Sequence, residues 1–202
     1  KPWDPTQLPM RKFDSYLPFV PTQKEAELFI SSLPDLKPKA MVSLMYSSGI
    51  RVGELCSLRY CDIQRKNMRI HVTHSKNRSD RYAILSQKAL DILTEYWFAY
   101  NRPTGWLFPK QTDPSRPIDT FYIMRHMRAH EDSLGWEHRI TCHSFRHAFG
   151  THLYENGADL LTIKTLMGHK SLNSTLLYIH LASYQARNVV SPFDRIGGGS
   201  LE

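Results

Sequence analysis

Residues 143–153 read HSFRHAFGTHL. Phe145, Phe149 and Leu153 follow one another at spacings of four, which draws an apolar stripe down one face of a helix. His143 and Arg146 are predicted to share the opposite, polar face. The predicted helix covers 142–156, up to Gly157, and similar patterns flank it at about 87–100, at 118–133 after Pro117, at 159–167 up to Gly168, and at 172–182. Near the beginning, Thr22 and Glu25 have capping-box spacing, and Leu28, Phe29 and Leu33 follow at helical intervals. A second helix is predicted from about Pro38 to Gly49, because proline is tolerated in a first turn and glycine suits an exit. Between 61 and 86 the period falls to two. Met68, Ile70 and Val72 alternate with Arg69, His71 and Thr73, and RYAILS follows the polar turn SKNRSD. The fold class expected is mostly α with a small antiparallel β-sheet inserted early, an α+β domain.

The chain has 202 residues, enough for one well-filled core, predicted at 22–182. Residues 1–21 hold Pro2, Pro5, Pro9, Pro18 and Pro21 without helical periodicity and read as an extended linker. The closing GGGSLE, 197–202, reads as a flexible linker and cloning scar. Apolar residues make up 41%, too many for a disordered chain, and no run approaches the ~18 apolar residues of a membrane-spanning helix. Lysine and arginine outnumber aspartate and glutamate 26 to 19, a net charge of +7 that favours a polyanion, with nucleic acid first among them. Cys56, Cys61 and Cys142 are odd in number and widely spaced, which suits a reducing, cytoplasmic setting rather than disulfides or a zinc finger.

Three clusters carry candidate chemistry. In SSGIRVGEL, Arg51 and Glu54 stand three apart after a glycine, a spacing that also fits an ordinary surface ion pair. In HSFRHAFGTHL, His143 and Arg146 sit together. His143 and His147, like His126 and His130, have the spacing of a zinc-binding helix, but neither pair has the following glutamate, so no metal site is expected. In LMGHKSLNSTLLYIH, 166–180, Gly168 leaves His169 at a helix exit, and Tyr178 lies among Leu176, Leu177 and Ile179, where it also fits a core position.

Together these residue types suit attack on a phosphodiester. Two arginines can clamp phosphate oxygens and stabilise a pentacoordinate transition state without a metal. Histidine moves protons near pH 7, which a tyrosine hydroxyl of ordinary pKa ~10 needs in order to attack. Lys76, in the hairpin turn, is placed to protonate the departing oxygen, with Arg78 and Arg81 as neighbouring cations open to confusion with it.

The three boxes resemble the tyrosine recombinase (phage-integrase-like) family, whose catalytic domain carries Arg, Lys, His-x-x-Arg, His and Tyr in this order. SSGIRVGELCSL is similar to its first box, HSFRHAFGTHL to its second and LMGHKSLNSTLLYIH to its third, and WLFP at 106–109 resembles a recurrent segment. The lysine turn departs from the family pattern in lacking glycine. The resemblance implies catalytic Arg51, Lys76, His143, Arg146, His169 and Tyr178, with Glu54 in support. It implies site-specific recombination of double-stranded DNA through a 3'-phosphotyrosyl link, no cofactor, a tetramer on DNA, and a bacterial, phage or mobile-element origin. Residues 1–21 would then join this domain to a separate N-terminal DNA clamp, and 183–196 would form a tail that packs on a neighbouring protomer. Tyr122, Arg125 and Arg128, on the helix at 118–133, are candidates for reading a DNA groove, although a packed helix with solvated arginines fits them as well. A type IB topoisomerase-like nicking-closing enzyme and a non-catalytic DNA-binding regulator are the alternatives.

Overall fold

The structure, a computed structural model, describes residues 18–73 and 80–182. Helix α1 (Gln23–Ser32) starts as its capping box requires: the Glu25 amide donates to Thr22 Oγ1 at 3.2 Å and the Thr22 amide donates to the Glu25 carboxylate at 2.7 Å. Helix α2 (Leu36–Ser48) begins a little before Pro38, which falls in its first turn, and is buried along most of its length. It stops at Gly49 in the left-handed conformation. Helix α3 (Val52–Cys56) is a single short turn that follows directly.

The early sheet is antiparallel with strand order β1 (Ile63–Gln64), β2 (Arg69–Val72), β3 (Arg81–Ile84). Ile70 pairs with Ala83 and both are buried, whereas Arg69, on the other face of β2, is exposed. Met68 does not belong to the strand as its place in the alternation suggested. It closes a short 3-10 turn at Arg65–Asn67 in the left-handed region, φ 48°, so extended pairing starts one residue later.

Helix α4 (Gln87–Ala99) lays Leu90, Leu93 and Tyr96 against the core. In the WLFP segment Leu107 and Phe108 are buried, and the Leu107 amide donates to the Leu58 carbonyl. Helices α5 (Thr120–Leu134), α6 (Cys142–Glu155), α7 (Leu160–Met167) and α8 (Asn173–Leu181) complete the described chain.

Helix α6 departs from the amphipathic reading of HSFRHAFGTHL. Ser144, Arg146, Thr151 and His152 are buried along with Phe145 and Phe149, because α1, α2, α7 and α8 all pack on this helix and leave little of its flank to water. The large core lies among α1, α2, α4, α5, the sheet and the first half of α6. A second, smaller cluster of Phe149, Ile163, Met167 and Tyr178 joins the second half of α6 to α7 and α8. Residues 1–17 and 183–202, including most of the predicted linker and the whole predicted tail, lie outside the described residues, as does the hairpin turn at 74–79.

Candidate active site

The site forms where the small cluster meets the turn between α2 and α3. Arg51 precedes α3, and its backbone amide donates to Glu54 Oε2 at 2.9 Å while its Nη1 donates to Oε1 at 3.0 Å. This is not a surface pair, because Glu54 is only 6% exposed. The same carboxylate takes a second, two-pronged contact from Arg81 on β3, at 2.9 and 2.7 Å. Burial alone would raise the Glu54 carboxyl. The Arg81 and Arg51 hydrogen bonds and the two guanidinium charges overcome it and hold the group at about 2.

Arg146 enters from α6. Its Nη1 donates to the Gly49 carbonyl and its Nη2 to the Met167 carbonyl at 2.7 Å. Arg51 Nη2 reaches the next carbonyl, Gly168, at 3.4 Å. Two arginines from distant parts of the chain therefore converge on the exit of α7, where free carbonyls carry the negative end of the helix dipole. Burial, with the like charge of Arg51, lowers Arg146 to about 10, which leaves it protonated at neutral pH.

Gly168 makes this exit possible. At φ 64° it lets its own amide bond to Thr165 and the His169 amide to Lys164, closing the last turn. His169 then turns inward, its Nδ1 2.9 Å from Thr175 Oγ1 and its ring stacked on Tyr178 with centroids 6.1 Å apart. Burial and the nearby Arg146 and Arg51 charges hold His169 down at about 4, so it is neutral at pH 7. Tyr178 is 1% exposed, and burial pushes its hydroxyl up to about 12 against the pull of Arg146 and Arg51.

His143, exposed in the first turn of α6, meets the ring of His147 at 6.3 Å, and His147 meets Tyr178 at 6.1 Å. His147 is thus a packing partner of Tyr178. Burial and the His143 and Arg146 charges hold it at about 4, and its buried Nδ1 has no hydrogen-bond partner among the described residues. The other spaced pair is spent elsewhere: His126 Nδ1 contacts the Tyr122 carbonyl and His130 Nε2 contacts Ser32 Oγ.

The structure thus brings together Arg51, Glu54, Arg146, His169 and Tyr178, with His143 beside them. Lys76 lies outside the described residues. Tyr122, Arg125 and Arg128 form no part of this cluster: Arg125 and Arg128 are exposed on α5, while Tyr122 is half-buried against the core with Lys37 Nζ 5.4 Å from its ring centre. Sequence reasoning missed Arg81, His147 and Thr175 as members of the site, and with them Gly150, where a β-carbon would come within 2.5 Å of Tyr178 Cζ. His147 gave a signal in its spacing from His143, read there only as a possible metal pair. Thr175 gave none.

Residues 21–185 match the model of the phage integrase family. The chain belongs to that family. Its relatives include y4eF of Sinorhizobium fredii, named as an integrase/recombinase, which is 36% identical over 193 residues, spanning 95% of this chain and 76% of that protein. Tyrosine recombinase XerC of Lactobacillus delbrueckii subsp. bulgaricus is 33% identical over 192 residues, spanning 89% and 64%. Among solved structures, XerA recombinase superposes with a TM-score of 0.76 at 29% identity, covering 90% of this chain and 65% of that one. The Tn1549 transposon integrase, in complex with a circular intermediate DNA, shares the fold with a TM-score of 0.71 at 20% identity, covering 87% and 65%. The chain therefore spans roughly two thirds to three quarters of these proteins, and its fold is that of the tyrosine recombinase catalytic domain.

Proposed function

We propose that this chain is the catalytic domain of a site-specific recombinase that cuts and rejoins double-stranded DNA through a 3'-phosphotyrosyl intermediate. The observation that carries this reading is the convergence of Arg51 and Arg146 on the α7 exit, beside His169 and Tyr178. Two permanent cations at one point are a binding site for a phosphate, and their charge offsets the negative charge that develops during attack.

In the proposed step, Tyr178 Oη attacks phosphorus while the bond from phosphorus to the 5'-oxygen breaks. Because burial holds the Tyr178 proton tightly, a base must take it as the new bond forms, and His143 is assigned that role. Lys76 gives the departing 5'-oxygen its proton. Neutral His169 offers a hydrogen bond to a nonbridging oxygen, its ring oriented by Thr175. Attack by a 5'-hydroxyl of a partner strand reverses the sequence, so the phosphodiester energy is kept. The exposed arginines of α5, Arg125 and Arg128, are proposed to face the DNA. A tetramer on DNA, with 183–196 between protomers, belongs to the same reading.

The test is covalent trapping on a nicked suicide duplex bearing the sequence the protein protects from nuclease. Wild type should give a denaturation-resistant protein–DNA adduct, and Tyr178→Phe should bind that duplex and give none. A wild type that binds without forming the adduct, or an undiminished adduct from Tyr178→Phe, overturns the proposal.

A further inference from the structure

Arg81 stands at the mouth of the β2–β3 hairpin, where it pairs with Val72 across the last described rung. Its side chain, 10% exposed, runs inward. The Nη1 and Nη2 groups grip both oxygens of Glu54, and Nε donates to the Leu166 carbonyl in the last turn of α7 at 3.2 Å. Its stem fills the space that Gly168 leaves empty: a β-carbon on Gly168 would lie 2.7 Å from Arg81 Cδ. One side chain thus touches the carboxylate that orients Arg51, the carbonyl next to the Arg146 anchor at Met167, and the glycine that precedes His169.

We infer that Arg81 is a positioning residue for phosphodiester cleavage, locking the hairpin, the Arg51–Glu54 turn and the His169 turn into one register. The inference rests on the proposed function for its catalytic consequence and on the contacts alone for its structural one. Three of the guanidinium N–H groups are committed inward, so Arg81 acts through Glu54 and the α7 exit and leaves the phosphate to Arg51 and Arg146. It also fixes where the hairpin leaves the body of the domain, on the strand that follows Lys76 in sequence. Lysine cannot replace it, because a single ammonium group cannot match both carboxylate oxygens and the carbonyl together.

The full chain with Arg81→Lys tests this. Amide hydrogen exchange reads the positioning directly: protection of the His169 amide, bonded to the Lys164 carbonyl, should fall about tenfold or more, while that of Leu90 in α4 is unchanged. On the suicide duplex, single-turnover adduct formation should slow on the order of a hundredfold, with duplex Kd unchanged within about twofold. Combining Arg81→Lys with Glu54→Gln should slow cleavage by less than the product of the two single effects, since each already breaks the shared Arg81–Glu54 contact. Wild-type protection at His169 overturns the inference, as does a loss confined to DNA affinity, or losses that multiply in the double variant. If wild type forms no adduct, the proposed function fails while the exchange experiment still decides the role of Arg81.

Discussion

Tyr178 lies against a residue with no side chain. A β-carbon on Gly150 would come within 2.5 Å of Tyr178 Cζ, so the hollow that seats the ring exists because position 150 of α6 is glycine. On a solvated helix, Gly→Ala would be expected to stabilise by roughly 1 kcal/mol. Here the added methyl must move the aromatic ring. Gly150→Ala should keep its helical circular dichroism and lose at least about tenfold in adduct formation, because a small displacement of the proposed nucleophile would be costly. Retained cleavage would show that the seat of the ring is not what aims the hydroxyl. The resemblance of LMGHKSLNSTLLYIH to the family's third box is what proposed Tyr178 from the sequence. The need for Gly150 and His147 was hidden, since a glycine inside a helix reads locally only as a cost, and what touches it comes from another helix.

At the scale of elements, the junction of α3, β3, α6 and α7 makes stability depend on pH. His147 and His169 both titrate at about 4 in the fold, against an ordinary 6.5, so the unfolded chain takes up protons first as pH falls. Their contribution is complete above about 6.5 and is lost down to about 4. Glu54, held at about 2 against an ordinary 4.5, adds a second stage: its contribution is complete above about 4.5 and is lost as pH falls toward 2. Thermal melts from pH 7 to pH 2 should show Tm falling through both windows, and Glu54→Gln should flatten the lower one. A wild-type Tm independent of pH between 4.5 and 2 would contradict the clamped carboxylate. The capping box of α1 and the glycine exits of α2 and α7 were readable because each is a contact within a few residues. The burial of Arg146 was not, since the stripe of Phe145, Phe149 and Leu153 defines one apolar face and cannot tell whether neighbouring helices also cover the other.

For the whole molecule, the charge of +7 and the exposed outer row of α5 set the expected response to salt. Affinity for duplex DNA should fall linearly on a log–log plot of binding against salt concentration. Arg125→Ala and Arg128→Ala should each lower the slope by about one if the residue meets a phosphate, and Tyr122→Phe should leave it unchanged. Unchanged slopes in both arginine variants would remove α5 from the DNA-facing surface. The depth of Tyr178 matters at this scale too. Tyr178, the proposed nucleophile, is 1% exposed, so the proposed attack requires that it be uncovered as DNA engages.

From the sequence alone came the order of helices and strands and the three boxes, whose resemblance to the family is what proposes Tyr178 as the nucleophile. All of these are carried by periodicity, by caps and by spacing within one segment, where the covalent chain itself sets the geometry. Tertiary structure decided what surrounds them: that Glu54 serves two arginines, that Arg81 faces inward, and that Gly150 makes room for the tyrosine ring. Each of those facts is a meeting of side chains from separate elements, and such meetings are set by how the helices and the hairpin pack in three dimensions, which no local pattern records.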